Sequence, residues 1–362
     1  MKKEEQKTLE QIASVPARSD KKGVFTDQTR LSVLRGLTKE SPYRPVYTGN
    51  SVELYAKTSL TDLPKNVLVL SGHCDVVRSI KDGDMFSTYD ENVDVLTGTY
   101  DNAISNAAMV ELMRKKDLPE NVVFAFTADE ETGRCRGAGE VLSVLGHDMK
   151  RRLFVIALDV TYENHFGCLY SMENICLSPQ VLKDLGEKMQ ELDKSLPLPP
   201  GRYVRLDKKT DLSFVRYGKV SRMESWMDEG QFYGKYISAV SFCLPLTGGE
   251  MHEPCGCQTR GRVYDGYIES LAQFSMLVLG KEPDKAWNDH RIQLSKGMGE
   301  LQDRINFEWM KVFRRRLEGM PVEKNPLLPE PIKGDQAQEG QKQADDWEQM
   351  SFLDEDGRVI GR

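Results

Sequence analysis

Two rhythms alternate along the chain, short apolar runs and longer stretches with apolar positions three to four residues apart. "VELYAK" and "NVLVLSG" read as strands, the second buried on both faces, since Val67, Leu68, Val69 and Leu70 leave no polar side. In "AISNAAMVELMRKK" the residues Ile104, Ala108 and Leu112 recur at i, i+4 and i+8, which predicts a helix. "NVVFAFTA", the helical "GAGEVLSVLG" and "RLFVIALD" continue a β-α-β-α-β alternation. Further on come a helical pattern in "SPQVLKDLGEKMQELDKS", the breaker "LPLPPG", strand candidates in "RYVRLD" and "YISAVSFCLPL", and a helix in "YIESLAQFSMLVLG". This order predicts an α/β fold, a three-layer α/β/α sandwich around a mixed, largely parallel sheet.

Near Glu282 the pattern changes. The expected organisation is a catalytic domain over 1–281, a helical extension over 282–320 and a disordered acidic tail over 321–362. In "INFEWMKVFRRRLEG" an apolar stripe of Ile305, Trp309, Val312, Phe313 and Leu317 serves packing or, alternatively, a homo-oligomer contact through this helix. The tail "QAQEGQKQADDWEQMSFLDEDGRVIGR" has too few apolar residues to offset the entropy of ordering.

Composition narrows the function. A hydrophobic fraction of 39%, a charged fraction of 29% and a formal net charge of -7 fit a globular protein and argue against nucleic acid as the main partner. The start of the chain lacks the apolar stretch of a signal peptide, and no run of eighteen apolar residues occurs, so no membrane association is expected. Seven cysteines at irregular spacings suit a reducing compartment. The expected location is cytoplasmic.

The ends of the predicted strands carry the chemistry. His73 and Asp75 follow "VLVLSG" and alternate about Cys74, so on an extended backbone both point the same way, as when a carboxylate orients a metal-binding imidazole. Asp101 precedes the Ile104 helix, Glu130 and Glu131 follow "VVFAFTAD", Asp159 closes "LFVIALD", and His252 lies just past "AVSFCLPLTGGEM". In open α/β sheets the carboxyl ends of strands open into a common crevice. Two histidines and four or five carboxylates form a donor set for two divalent ions, zinc foremost, with cobalt or manganese as alternatives.

In order, "GHCDVV", "YDNAISNAA", "ADEETG", "ALDVT" and "GGEMHEP" resemble the pattern of the co-catalytic zinc exopeptidase superfamily, which comprises zinc aminopeptidases, zinc carboxypeptidases and N-acyl amino acid deacylases. The resemblance covers about Leu9 to Gly280. It implies that Asp101 bridges two metals, that His73 and Asp159 complete one ion, and that Glu131 and His252 complete the other. It also implies that Asp75 fixes the His73 tautomer and that Glu130 is the general base, taking a proton from a water bridging the two zinc ions. Only 28 positions separate His73 from Asp101, and only 93 separate Asp159 from His252, so neither a large insertion nor a full dimerising lid fits. The closest resemblance is therefore to lidless aminopeptidase-like members. The expected reaction is hydrolysis of the amide bond of a small peptide or N-terminal residue. An N-acyl amino acid deacylase and a non-catalytic binding module are the alternatives.

The remaining residues carry less. His147 and His290 read as surface residues, Cys74 as a small buried apolar residue, and "CGC" at Cys255 and Cys257 as loop packing. Asp129 is expected to face solvent or cap a turn, with tuning of the base as the alternative, and Asp228 and Glu229 to lie in a substrate-pocket loop. His165, Tyr233 and Tyr236 are the candidates for stabilising an oxyanion.

Overall fold

The computed structural model describes residues 1–114, 118–146, 152–162, 169–177, 181, 184–188, 218–220, 229–249 and 251–283. In chain order the elements are helix α1 (Lys3–Ala13), strands β1 (Arg18–Ser19) and β2 (Phe25–Asp27), helix α2 (Thr29–Thr38), and strands β3 (Arg44–Thr48), β4 (Val52–Ala56), β5 (Asn66–His73), β6 (Ser87–Asp90) and β7 (Val95–Gly98). Then follow α3 (Ala103–Arg114), β8 (Val122–Thr127), α4 (Arg136–Gly146), β9 (Arg152–Tyr162), β10 (Tyr170–Cys176), β11 (Gly218–Val220), α5 (Glu229–Gly234), β12 (Ser238–Leu246), β13 (Cys257–Arg260) and α6 (Gly261–Leu279).

Eight strands form the main sheet in the order β11-β10-β12-β9-β5-β8-β4-β3. Its centre is parallel: β5 pairs in parallel with β8 and β9, and β9 with β12. The β4–β8, β3–β4 and β10–β12 pairs are antiparallel. The mixed, helix-covered sheet is the fold that the alternating pattern predicts.

Period-2 geometry divides each central strand between two cores. Leu68 and Leu70 of β5 pack with Leu9, Ile12, Leu34, Ala107, Leu271 and Phe274, which belong to the layer of α1, α2, α3 and α6. Val67 and Val69 face the other way, against Ala138, Val141 and Leu145 of α4 and Tyr233 of α5. A strand buried on both faces has no polar alternation to display, which is why "VLVL" is continuous. Gly137, in the first turn of α4, sets how closely that helix approaches the sheet, because a Cβ there would lie 2.6 Å from the Ser51 carbonyl oxygen and 2.7 Å from the Ala128 nitrogen.

A second sheet, in the order β13-β7-β6, ties together two segments far apart in sequence. β7 leads into Asp101, and β13 follows His252. Their pairing places Cys257 opposite Gly98, where Gly256 at φ +69° leaves no room for a Cβ, its nearest atom being the Gly98 carbonyl oxygen at 2.5 Å. Thr247 and Gln258 exchange backbone hydrogen bonds of 2.7 and 2.6 Å and close the base of the His252 loop.

No helix among the described residues is long and apolar enough to cross a membrane. Apart from their first two residues, the expected extension and tail lie outside the described residues. So do the apolar stripe at 305–317, the "RYVRLD" strand and His147, His165, Asp228 and His290; the "SPQVLKDLGEKMQELDKS" helix is described only at 181 and 184–188, all helical.

Candidate metal centre

His73 is the last residue of β5, and the structure gathers the other strand-end residues around it. Its carbonyl accepts a hydrogen bond from Asn106 Nδ2 of α3 at 2.9 Å, which fixes the strand end against the helix. Asp101 reaches the same point from the turn before α3, across a cis Asp101–Asn102 peptide. Glu130 and Glu131 follow β8. Asp159 does not close its strand, since β9 runs on to Tyr162. The correction has a simple cause: β9 loses its β5 partner after Ala157 but stays paired with β12, in register Cys243 to Asp159, so Asp159 flanks the end of β5 from inside a longer strand.

The distances divide the cluster in two. His73 Nε2 lies 3.1 Å from Asp101 Oδ1, 3.5 Å from Asp159 Oδ1 and 3.8 Å from Glu130 Oε2. His252 Nε2 lies 3.0 Å from Asp101 Oδ2 and 3.6 Å from Glu131 Oε2. Each oxygen of Asp101 therefore faces a different imidazole. His73, Asp101 and Glu131 each offer a ligand atom within 4.8 Å of the other two. Asp101 Oδ1 is buried yet accepts no hydrogen bond, despite the imidazole nitrogen beside it. Two lone-pair donors that converge without bonding each other suit a cation placed between them. The donors are imidazole and carboxylate, which hold zinc, cobalt or manganese without thiolate.

Electrostatics agree with that reading. Burial pushes the Glu131 carboxyl up to about 8, with the Asp101 charge adding to it and the two histidines opposing it. Glu130 is raised well above the ordinary carboxyl range by burial and by the Asp159, Glu131 and Asp101 charges, against His73. His252 is raised to about 9, first by its bond to Asp101, despite burial. Burial works to lower His73, but Glu130, Asp101, Asp159 and Asp75 outweigh it and raise it well above the usual imidazole value. Burial would raise Asp101, yet His252 and His73 hold it below the ordinary range. Without cations the cluster compensates its negative charge with protons.

Asp75 lies behind His73. Its Oδ1 is 3.6 Å from His73 Nδ1, and its own carbonyl oxygen is nearer, at 3.2 Å. Its Oδ2 accepts from the Asp129 N–H at 3.0 Å and from Ser19 Oγ at 3.4 Å. The Val77 N–H donates to Glu131 Oε1 at 3.1 Å, and Ser79 Oγ donates to the His252 carbonyl at 2.8 Å, so the loop after Asp75 touches both halves of the centre.

Five expectations change. Asp129 neither faces solvent nor merely caps a turn: it is fully buried, at φ +72°, and paired with Arg134. Glu229 is 3% exposed rather than on a pocket loop, and its carboxylate accepts from Ser71 Oγ at 2.9 Å and from Thr127 Oγ1. Tyr233 is buried with its hydroxyl on Ser71, in the layer beneath the sheet, so it does not supply an oxyanion donor. Tyr236 precedes β12 while His252 follows it, which puts a nine-residue strand, about 30 Å, between the two ends. Cys74 is buried as expected, Cys257 is buried at the start of β13 rather than in a loop, and Cys255 is exposed.

Ser71 and Thr127 carry no signal in a single sequence, and Asp129 carries little. The run "TADEET" gives no sign that its first carboxylate turns inward, and Ser71 and Thr127 read as ordinary strand residues until the fold sets Glu229 between them. One hint existed for Asp129: arginines five and seven residues on, in "GRCRG", can fold back on a turn.

A mixed, helix-covered sheet with a histidine and carboxylate cluster at one edge is consistent with the co-catalytic exopeptidase superfamily. Within it, the chain belongs to peptidase family M20/M25/M40, whose sequence profile matches residues 69–284, more than half of the chain. No curated protein sequence matches it significantly. Among solved structures, it is similar to the LapA aminopeptidase of Legionella pneumophila, with a TM-score of 0.50 and 14% identity over 77% of this chain and 72% of the other. It is also similar to the aminopeptidase APDkam598 of the archaeon Desulfurococcus kamchatkensis, with a TM-score of 0.48 and 10% identity over 79% and 97% of the two chains. A third is the YXEP protein of Bacillus subtilis, a dinuclear metal binding peptidase of the M20 family, with a TM-score of 0.46 and 11% identity over 76% and 98%. Family membership and the clustered donors together support a metal-dependent peptide hydrolase.

Proposed function

We propose that the protein hydrolyses the amide bond of a small peptide or N-terminal residue, using two divalent ions, zinc foremost, with Glu130 as general base. The observation that supports this most directly is the divided Asp101 carboxylate, one oxygen 3.1 Å from His73 and the other 3.0 Å from His252. In this reading Asp101 is shared between the ions, His73 and Asp159 complete one, and Glu131 and His252 complete the other. A bound pair would supply Lewis acidity, polarising a scissile carbonyl and making water acidic enough to lose a proton near neutral pH.

The chain's own residues do the rest. Asp75, through the two oxygens that face His73 Nδ1, keeps a proton on that nitrogen and leaves the Nε2 lone pair toward the cluster. Glu130, with 14% of its side chain exposed and Oε2 3.8 Å from His73 Nε2, combines access to solvent with a place beside the proposed ions. Those are the two properties a base needs to accept a proton from attacking water at Oε2 and return it to the leaving amine. Glu131, held by the Val77 N–H, faces His252 instead, so adjacent glutamates divide two tasks.

The test is metal analysis of the purified protein, followed by a panel of free and N-terminally blocked peptides and acyl amino acids, with chelator and with added zinc. Two equivalents of metal per chain and zinc-restored amide hydrolysis are expected. Metal-replete protein that cleaves no amide on the panel would overturn the proposal, and cleavage confined to acyl amino acids would reassign it to the deacylases.

A further inference from the structure

Asp129 is assigned no part in the scheme above, yet it connects its two sides. Its N–H donates to Asp75 Oδ2 at 3.0 Å, and Asp75 in turn backs His73. Its carbonyl accepts from the Cys135 N–H at 3.0 Å. Its Oδ1 accepts from Arg134 Nη2 at 2.7 Å and from Thr132 Oγ1, and Arg136 Nε lies 3.5 Å from Oδ2. Arg134 extends the chain of contacts through Nη1 to the Lys21 carbonyl, in the hairpin whose Ser19 also reaches Asp75.

The backbone makes this arrangement costly to hold by chance. Asp129 sits at φ +72°, a conformation an L side chain rarely adopts, and its carboxylate is wholly buried. A buried carboxylate stripped of its cation is strongly destabilising, so Arg134 and Asp129 fix each other. The next two residues in the chain are Glu130 and Glu131, which leave this clamped residue toward His73 and His252 respectively.

We propose that Asp129 is a positioning residue: clamped by Arg134 and Thr132, it sets the backbone from which Glu130 and Glu131 diverge, and through its N–H it holds the carboxylate that orients His73. The proposal rests on the reading of Glu130 as base and Glu131 as metal ligand. Misplacing a catalytic group by about 1 Å costs up to about a hundredfold in rate, and loss of a residue supporting metal ligands costs about 10 to 100-fold in affinity.

The experiment compares Asp129→Asn, Asp129→Ala, Arg134→Met and the double variant Asp129→Asn/Arg134→Met with the parent chain, in zinc affinity, kcat, KM and thermal stability. Asn tolerates the left-handed conformation and keeps an acceptor for Thr132 while losing the charge that pairs with Arg134. Asp129→Asn and Arg134→Met are each expected to lower zinc affinity at least about tenfold and to lower kcat with KM little changed. Asp129→Ala should do more than Asp129→Asn, and the double variant no more than Asp129→Asn alone. Should Asp129→Ala fail to fold, the exposed Arg134→Met and the conservative Asn variant still decide. A lower thermal transition with zinc affinity and kcat per metal-loaded chain unchanged would overturn the proposal, leaving Asp129 a fold residue only. The underlying reading fails separately: a Glu130→Gln variant with normal turnover removes the base assignment whatever Asp129 does, while an inactive Glu130→Gln beside an unaffected Asp129→Asn removes this proposal alone.

Discussion

Replacing Asp75 by asparagine probes the arrangement behind His73, because the amide cannot satisfy both neighbours of the carboxylate. One oxygen accepts the Asp129 N–H at 3.0 Å and the other faces His73 Nδ1 at 3.6 Å. If the asparagine oxygen keeps the Asp129 N–H, its NH2 group confronts Nδ1, favours the tautomer with the proton on Nε2 and opposes ligation. If the amide flips, two donors meet at Asp129. Either orientation loses an interaction, so rotation offers no escape. The Asp75 carbonyl, 3.2 Å from Nδ1, remains and still favours a proton there. The loss should therefore fall toward the lower part of the 10 to 100-fold range for a residue that supports a ligand, about 1.4 to 2.7 kcal/mol. His73→Ala removes a proposed ligand outright and should abolish binding of one of the two proposed ions at micromolar zinc. Competition against a chromophoric chelator at pH 7.5 ranks the two variants, and circular dichroism verifies that both fold. Equal losses, or a greater loss for Asp75→Asn, would show that Asp75 ligates metal directly. No change in either would mean the strand end is only a turn.

Three further outcomes follow from the geometry. Glu130→Gln should reduce turnover by at least about a thousandfold while metal analysis still finds two ions per chain, whereas Glu131→Gln should lose metal first. In the metal-free chain, Glu131 is raised to about 8 and His252 to about 9, so the folded state binds protons more tightly than the unfolded chain. Their contribution is full below about pH 4.5 for Glu131 and about pH 6.5 for His252 and is lost as pH rises through 8 and 9, while Asp101, held low, opposes it only below about pH 4; denaturant titrations from about pH 5 to 9 check it, and a metal-free chain that gains stability across that range would contradict the sign. Glu229→Ala strips the Ser71 and Thr127 hydroxyls of their buried acceptor and should destabilise the chain by about 2 to 4 kcal/mol, read as a lower denaturation midpoint with or without zinc.

The residues of the candidate centre were legible because function sets them against local pattern. A histidine and an aspartate at the end of "VLVLSG", or two glutamates after "VVFAFTAD", have no packing reason to be there, and the strand rhythm indicates that they share one edge of a sheet. The central strands and the helices α3 and α4 followed from the same rhythm. What stayed hidden depends on contacts between distant segments. The β6–β7–β13 sheet consists of four-residue strands with mixed burial, and "STYD" and "VLTG" resemble loop until Cys257–Arg260 pairs with them. Glu229 looked like a pocket residue because its partners, Ser71 and Thr127, lie 158 and 102 positions away. Asp129 looked exposed because an acidic residue opening a run of three usually is, and the folded-back Arg134, Thr132 and Arg136 make its burial tolerable.

The same argument bears on how such a centre folds at all. Asp75, Asp101, Glu130, Glu131 and Asp159 lie close together at one sheet edge, and like charges at this density oppose folding unless something compensates them. Protons on Glu131 and His252 do so at low pH, and bound cations would displace them as pH rises, which would link metal affinity to folding. The fold adds a fixed contribution from behind. Arg30 is fully buried and donates to the Cys74 carbonyl at 2.8 Å and the Val15 carbonyl at 3.1 Å, setting a positive charge at the back of the His73–Asp75 turn. Burial works to lower its proton affinity, while the Asp75 and Asp101 charges oppose that. An isolated guanidinium would not be stable in that position. The charge that destabilises the carboxylates is therefore part of what keeps Arg30 buried, and Arg30 in turn holds the turn from which His73 and Asp75 face the centre.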